Sequence, residues 1–267
     1  MLNAAAFLGT GDIVFVTFDT LRYDVAVAEW KAGRTPNLAA VLPPSGWEER
    51  HTPGSFTYAA HQAFFTGFLP TPAYPGKHAR LLAANFAGSE TTAPETAVFE
   101  TPDIVSGFRG AGYATLCVGG VGFFNRKTAL GSVLPSLFDE AYWDESLGVT
   151  DPHSATNQFR YAVEALARHP KPTFLFINLS ALHQPNWFYV PGRTREEGDD
   201  LASHAAALRY IDSQLPILLS ALKARGRSLC IFCSDHGTAY GEDGYTGHRL
   251  AHPTVWTVPY AEFILER

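Results

Sequence analysis

The chain has 267 residues, of which 46% are hydrophobic and 17% charged, and its formal net charge is −6. This length suits one large α/β domain, and the apolar fraction can supply a sizeable core. The negative charge argues against nucleic acid or an anionic membrane as partner, because either would require a basic surface.

Two further features bear on the cellular compartment. The three cysteines, Cys117, Cys230 and Cys233, are an odd number without the spacing of a disulfide framework, which indicates reduced thiols. The N-terminal segment lacks the basic start of a signal peptide, and no apolar run reaches the ~18–20 residues that span a bilayer. We therefore expect a cytoplasmic protein without a membrane partner.

In chain order, short runs rich in β-branched and aromatic residues predict strands over 13–18, 113–118, 173–179 and 228–233. Apolar periodicity predicts helices over 157–167 and 203–222, and Pro216 should kink or break the second of these. Residues 70–94 indicate a surface excursion. Strands that are apolar on both faces indicate a mainly parallel sheet with helices on both sides. The predicted fold is a three-layer αβα sandwich, with a single domain over residues 1–267.

Polar side chains follow three of the predicted strands. Asp19 follows the first, His183 lies just beyond the third, and Asp235 and His236 come directly after the fourth. The carboxyl ends of parallel strands meet at one rim, so these side chains should converge. Two carboxylates and an imidazole suit Zn²⁺ or Mn²⁺ better than Ca²⁺. The alternative is a loop-capping aspartate beside a surface histidine.

A fourth segment, residues 51–70, carries a hydroxyl at Thr57 just before a predicted helix. A hydroxyl there ordinarily serves only as a helix cap. The same place suits a nucleophile, because the helix N-terminus attracts phosphate and a bound metal would lower the pKa of the hydroxyl. Both interpretations stay open at this point.

Six segments in this order resemble the alkaline phosphatase/sulfatase superfamily along the whole chain. FDTLRYD (18–24) resembles its opening strand, RTPNLAAV (34–41) its next helix start, GFRGAGYATLCVGG (107–120) a helix-to-strand passage and SALHQP (180–185) its H-x-P turn. SDHG (234–237) with GYTGH (244–248) resembles its metal-binding signature, and VPYAEFIL (258–265) its closing strand.

The resemblance implies an alkaline phosphatase-like fold and assigns roles to individual residues. The principal metal site would consist of Asp19, Thr57, Asp235 and His236, with Thr57 as the nucleophile. His183 and His248 would bind a second metal or hold the substrate oxygens. Weaker candidates for substrate binding are Arg22, His61, which takes the Arg/His position of the nucleophile helix, and His252.

Four departures from the family pattern are informative. Classical sulfatases need Cys or Ser where this chain has Thr57, a lysine at Gly120 and a second Asp at Thr20. These changes move away from sulfate esters and towards the family's phosphodiesterases and its phosphoglycerol and phosphoethanolamine transferases. Leu179 stands where its two-metal phosphodiesterases have an Asp, which argues against a complete second metal site.

The sequence therefore predicts a metal-dependent hydrolase of small phosphate mono- or diesters that forms a phospho-threonine at Thr57, with His183 and His248 at the leaving group. Zn²⁺ or Mn²⁺ is the expected metal, with Mg²⁺ and Ca²⁺ left open. A phosphoryl transferase or mutase, or a sulfatase or phosphonate hydrolase, could use the same site. A degenerate, non-catalytic binding protein is the alternative from another class. The oligomeric state is left open.

Overall fold

The structure is a computed structural model that describes residues 2–3, 7–67, 82–83, 97–98, 103–170 and 172–267. Its strands are β1 (Asp12–Phe18), β2 (Glu48–His51), β3 (Leu82–Ala83), β4 (Ala97–Val98), β5 (Ala114–Val118), β6 (Glu140–Tyr142), β7 (Thr173–Leu179), β8 (Ser228–Cys233), β9 (Ala239–Tyr240), β10 (Thr246–Gly247) and β11 (Thr257–Leu265). Its α-helices are α1 (Tyr23–Lys31), α2 (Pro36–Ala39), α3 (Thr57–Thr66), α4 (Ile104–Gly110), α5 (Ala129–Val133), α6 (Ser154–Arg168), α7 (Leu201–Arg225) and α8 (Pro253–Trp256).

A seven-stranded sheet runs in the order β2-β11-β8-β1-β7-β5-β6. Strands β8, β1, β7, β5 and β6 are parallel, whereas β11 runs antiparallel to both β8 and β2. Two smaller pairs are β9 with β10, antiparallel, and β3 with β4, parallel. The predicted mainly parallel sheet is confirmed, and its four predicted strands lie side by side in the order β8-β1-β7-β5.

Alternation along the strands divides the core into two layers. Val14, Val16 and Phe18 of β1 face a cluster that includes Phe159 of α6 and Leu215 of α7. The alternate residues Ile13 and Phe15 face the opposite cluster, which contains residues from α3, α4 and α5. Because apolar side chains leave both faces of the sheet, helices must cover both to exclude water. The predicted three-layer sandwich is therefore confirmed.

Helix α7 continues through Pro216, so the predicted break is absent. A proline inside a helix leaves the carbonyl four residues earlier without its N–H donor. Here that carbonyl belongs to Asp212, and it accepts a hydrogen bond from Asn37 Nδ2 at 3.0 Å. In return, the Asp212 carboxylate accepts from the backbone N–H of Leu38 at 2.7 Å, in the first turn of α2. A tertiary partner thus replaces the lost helical bond.

The remaining predictions from the pattern have mixed outcomes. The helix predicted over 157–167 is confirmed within α6. Cys117, Cys230 and Cys233 are buried free thiols. The surface excursion predicted over 70–94 lies outside the described residues apart from 82–83. Over the part of the chain that the structure describes, none of the helices combines the length and the apolar character that crossing a bilayer requires.

Candidate metal centre and active site

The candidate site lies at the carboxyl ends of β8, β1 and β7. Asp19 follows β1 directly, and its backbone N–H donates to the carbonyl of Leu179 at the end of β7. Asp235 and His236 follow β8, and His183 lies four residues beyond β7. Parallel neighbours bring their carboxyl ends to one edge, which is why residues far apart in the sequence meet here.

Asp19 and Asp235 are fully buried, and each carboxylate uses only one of its oxygens. Asp19 Oδ2 accepts from Asn178 Nδ2 at 3.0 Å. Asp235 Oδ1 accepts from the backbone N–H groups of Thr20 at 3.2 Å and His236 at 3.0 Å. Asp19 Oδ1 and Asp235 Oδ2 have no hydrogen-bond partner within the described ranges. A buried oxygen of this kind is costly unless a cation satisfies it.

His236 supplies a third donor to the same point. Its Nδ1 lies 2.8 Å from the carbonyl oxygen of Gly237, which can only accept, so Nδ1 carries the proton. The lone pair on Nε2 is therefore free to bind a metal. One ligand atom each from Asp19, Asp235 and His236 lie within 4.8 Å of one another. This buried set fits a divalent cation, and its mixed oxygen and nitrogen character suits Zn²⁺ or Mn²⁺.

The electrostatics of the two carboxylates agree with this interpretation. Burial raises the pKa of Asp235 to about 7. Burial and then repulsion from Asp235 raise the pKa of Asp19 to about 6. Two neighbouring carboxylates removed from water resist ionisation together, and a cation between them would reverse that effect.

Thr57 is the first residue of α3, and the helix cap is the extended Phe56. The Thr57 hydroxyl makes no capping bond. It donates towards Asp19 Oδ2 at 3.3 Å and lies 3.3 Å from His236 Nε2. The interpretation of Thr57 as a mere helix cap is therefore wrong. The hydroxyl instead faces the free ligand atoms, which is the position expected of the predicted nucleophile.

His183 and His248 lie on the outer side of this cluster and are half-buried. The His248 ring centroid lies 4.5 Å from that of His236 and 5.7 Å from that of His183. Nδ1 of His183 donates to the carbonyl of Gln184 at 2.6 Å, which leaves its Nε2 free. Leu179, at the position of the missing carboxylate, is fully buried in the apolar core and adds no ligand.

Burial, followed by the nearby His236 and His183, lowers the pKa of His248 to about 3. At neutral pH its imidazole is therefore uncharged. It can donate one N–H hydrogen bond to a substrate oxygen, but it holds no extra proton for a leaving group. A hydrogen bond from neutral His248 to the leaving group, where the sequence places it, agrees with this state.

The structure places His61 in the interior of the protein, one helical turn after Thr57 and without contact with solvent. The ring is fully buried among aromatic side chains, and burial lowers its pKa to about 3. Nδ1 donates to the carbonyl of Thr57 at 2.7 Å, and Nε2 lies 3.1 Å from the hydroxyl of Thr17. Nδ1 thus bonds within α3, and Nε2 links α3 to β1. The prediction that His61 binds substrate is wrong, because the ring is fully buried and both nitrogens already have partners.

Arg22 and His252 also bind other groups of the protein. Arg22 is 3% exposed and forms a two-pronged ion pair with Asp24, at 2.9 and 2.6 Å, and another with Glu242. His252 accepts at Nδ1 from the backbone N–H of Thr254, which caps α8, and its Nε2 lies 3.1 Å from Asp243 Oδ2. Arg22 thus fastens the loop after β9, and His252 caps a helix, while their contacts with a substrate stay predictions.

Sequence reasoning missed two residues that orient the carboxylates. Asn178 Nδ2 holds Asp19, while its Oδ1 accepts from the backbone N–H of Val121 at 3.1 Å. Thr20 has φ of 66°, in the left-handed region, which aims its N–H at Asp235. A signal for Asn178 was present, since an amide inside the otherwise apolar run TFLFINL requires a specific partner.

The parallel sheet and the carboxylate–histidine cluster beside a helix-borne hydroxyl define an alkaline phosphatase-like enzyme domain. A family model described as Sulfatase matches residues 12–260, and the chain belongs to this family, within the alkaline phosphatase superfamily. Enzymes of the superfamily act on phosphate or sulfate esters as hydrolases or transferases. No curated protein matches the chain.

Solved structures share this fold at low sequence identity. The C-terminal periplasmic domain of the phosphoethanolamine transferase EptC from Campylobacter jejuni is 15% identical with a TM-score of 0.63, over 95% of this chain and 79% of that one. The corresponding EptC domain from Escherichia coli, in complex with Zn, is 17% identical with a TM-score of 0.63, over 95% and 72%. The lipoteichoic acid synthase LtaP from Listeria monocytogenes is 13% identical with a TM-score of 0.60, over 96% and 67%.

Proposed function

We propose that this protein is a metal-dependent phosphoric ester hydrolase that works through a phospho-threonine at Thr57. One observation carries the proposal. The Thr57 hydroxyl lies within 3.3 Å of both Asp19 and His236, directly beside two buried carboxylate oxygens without partners in the described part of the chain. A structural threonine would not need such a setting.

Asp19, Asp235 and His236 would hold one divalent cation, with Thr57 Oγ1 as a further ligand. We favour Zn²⁺ or Mn²⁺ over Mg²⁺ and Ca²⁺ on the donor set, and the zinc complex of E. coli EptC supports zinc. When bound, such a cation lowers the pKa of a hydroxyl and neutralises charge that develops on phosphoryl oxygens. We propose a single cation, because Leu179 supplies no carboxylate beside His183 and His248.

The reaction divides into two displacements. The Thr57 oxygen bonds to phosphorus, the bond from phosphorus to the ester oxygen breaks, and the alcohol portion leaves as its oxyanion, which water then protonates. Asp19 Oδ2, at 3.3 Å, is placed to take the hydroxyl proton of Thr57. Water then attacks the phospho-threonine and releases phosphate, which restores the hydroxyl. His183 and neutral His248 would donate hydrogen bonds to the non-bridging oxygens during both steps.

Sulfate esters are disfavoured by two positions. Thr57 cannot be converted into the aldehyde that sulfatases use, because its hydroxyl carbon bears a methyl group. Gly120 has no room for the lysine of those enzymes: a Cβ there would lie 2.3 Å from the carbonyl oxygen of Asn178. Membership of the sulfatase family is thus compatible with activity on phosphate esters.

A phosphoryl or substituted-phosphoryl transferase is the second candidate, favoured by the names of EptC and LtaP. It would use the same first step and pass the group to an alcohol instead of water. We propose a small organic phosphate as the substrate. We also propose that residues 1–267 form a single catalytic domain. The cytoplasmic location stays a prediction, and the two EptC domains are periplasmic.

The test compares wild-type protein with Thr57→Ser and Thr57→Ala after reconstitution with Zn²⁺ or Mn²⁺. With 4-nitrophenyl phosphate and bis(4-nitrophenyl) phosphate, we expect turnover and, after acid quenching, one phosphoryl group on the peptide that contains residue 57. Thr57→Ser should retain partial activity, and Thr57→Ala should lose both signals. Full activity of Thr57→Ala on every ester would contradict the mechanism. Failure to bind metal would favour the non-catalytic alternative, and an added alcohol that outcompetes water would favour transfer.

A further inference from the structure

A cavity of about 460 Å³ lies between residues 51–55 and residues 249–256. Its lining includes His51, Pro53, Ser55, Arg249 and Trp256; we call it the side pocket. Ser55 precedes the nucleophile Thr57 by two positions, and Arg249 directly follows His248. The side pocket therefore adjoins the place where the ester would react.

Arg249 is exposed and has no carboxylate partner among the residues that the structure describes. Its guanidinium lies 5.2 Å from the centroid of the Phe56 ring, next to Thr57 in the chain. Arg22, by contrast, is neutralised by Asp24 and Glu242. Unlike Arg22, Arg249 is thus available to a substrate.

The backbone at Arg249 has φ of 68°, a left-handed conformation that strains a residue other than glycine. Its N–H donates to the carbonyl of Ser55 at 2.8 Å, which ties the two walls of the side pocket together. Glycine would satisfy this conformation without strain, as it does at Gly247 with φ of 79°. The presence of arginine at a position that suits glycine indicates a role for its side chain.

The walls of the side pocket are largely apolar. The ring of Trp256 stacks on that of His51 with centroids 5.6 Å apart and an interplanar angle of 22°, and Pro53, Leu250 and Ala251 complete the surface. A flat apolar group would bury surface against these rings. The side pocket thus combines an aromatic floor with one cation at the edge nearest the nucleophile.

Resting on the proposed hydrolase function, we propose that the side pocket binds the alcohol portion of an aryl phosphate monoester and that Arg249 pairs with the second negative charge of its phosphoryl group. A divalent cation only balances the ionised carboxylates of Asp19 and Asp235. A phosphate monoester approaches two negative charges at neutral pH, whereas a diester carries one. Arg249 supplies the additional positive charge that makes a monoester the better substrate.

The experiment uses the metal-reconstituted full chain at pH 8 and compares Arg249→Gly with Arg249→Lys. Arg126→Gly is the matched control, because Arg126 is also exposed, has φ of 56°, and donates to the carbonyl of Ala141 away from this site. We expect Arg249→Gly to lower kcat/KM for 4-nitrophenyl phosphate about 10- to 100-fold and that for bis(4-nitrophenyl) phosphate less than about threefold. Arg249→Lys should recover part of the loss. Relief of the left-handed strain should keep Arg249→Gly at least as stable as wild type in denaturation.

Binding of phenylphosphonate, a non-hydrolysable monoester analogue, gives a readout independent of turnover. Calorimetry should show binding to wild type and Arg126→Gly, and weakening by about 10- to 100-fold in Arg249→Gly. Binding that depends on Arg249 without turnover of any ester would overturn the hydrolase proposal and leave the assignment of the side pocket intact. Equal losses on monoester and diester, no loss at all, or absence of phenylphosphonate binding to wild type would overturn the assignment.

Discussion

Replacing Asp235 by Asn should make the metal-free protein more stable at pH 8. In the fold, burial holds the pKa of Asp235 at about 7, compared with 3.8 for an ordinary aspartate. A carboxyl whose pKa is raised by folding binds its proton more tightly in the native state. The amount by which Asp235 lowers the free energy of unfolding is therefore zero below about pH 4 and reaches its full value above about pH 7.

Raising the pKa of Asp235 from 3.8 to about 7 lowers the free energy of unfolding by on the order of 4 kcal/mol, since a tenfold change in an equilibrium constant is worth about 1.4 kcal/mol. Asp19, whose pKa is raised to about 6, adds a loss of the same sign over the same interval. The metal-free wild-type protein should thus lose several kcal/mol of unfolding free energy between pH 5 and pH 8. Asparagine keeps an oxygen for the N–H groups of Thr20 and His236 and carries no charge, so Asp235→Asn should remove much of this loss.

The assay is chemical denaturation of chelator-treated protein at pH 5 and pH 8, for wild type, Asp235→Asn and Asp200→Asn. Asp200 is the control, because Arg193 lowers its pKa and keeps its titration below this interval. Asp200→Asn should therefore show the same fall in stability as wild type. Equal stability of the metal-free wild type at both pH values, or an unchanged fall in Asp235→Asn, would refute the reasoning.

Two further predictions concern the frame of the site and its metal content. Gly120→Ala should cost about 1–3 kcal/mol of unfolding free energy, because the new Cβ would lie 2.3 Å from the Asn178 carbonyl oxygen. It should also weaken metal binding, because Asn178 holds the Asp19 carboxylate. Gly122→Ala, whose nearest neighbour would be at 3.9 Å, should leave both unchanged in the same denaturation and metal titrations. Elemental analysis should find one equivalent of Zn²⁺ or Mn²⁺, lost in Asp235→Ala and kept in His183→Ala. Two equivalents in wild type would contradict the single site.

The positions of Asp19, Asp235 and His236 could be predicted because strand ends can be recognised in the sequence. Each follows a short, continuously apolar run, and in a parallel sheet the ends of such runs share one edge. The order β8-β1-β7 could not be predicted in this way. It depends on the paths of helical crossovers, and local periodicity contains no information about them.

The contacts of Arg22 within the protein could not be predicted from its neighbours in the sequence. The ion pair of Arg22 with Glu242 joins residues 220 positions apart, so no local pattern announces it. The burial of His61, by contrast, could have been predicted from the sequence. Phe64 and Phe65 lie three and four positions after it, on the same helical face, and that spacing indicates a buried ring.

The protonation state of His248 links the mechanism to the side pocket. A neutral imidazole at this position can donate a hydrogen bond to the ester oxygen but is a poor general acid, so we expect this oxygen to leave with its negative charge. A leaving group that tolerates this charge, such as an aryloxide, then reacts faster than an alkoxide. The stacked rings of Trp256 and His51 offer the surface that an aryl group would contact. The electrostatics at His248 and the shape of the side pocket therefore favour the same substrate class, and they do so through different residues.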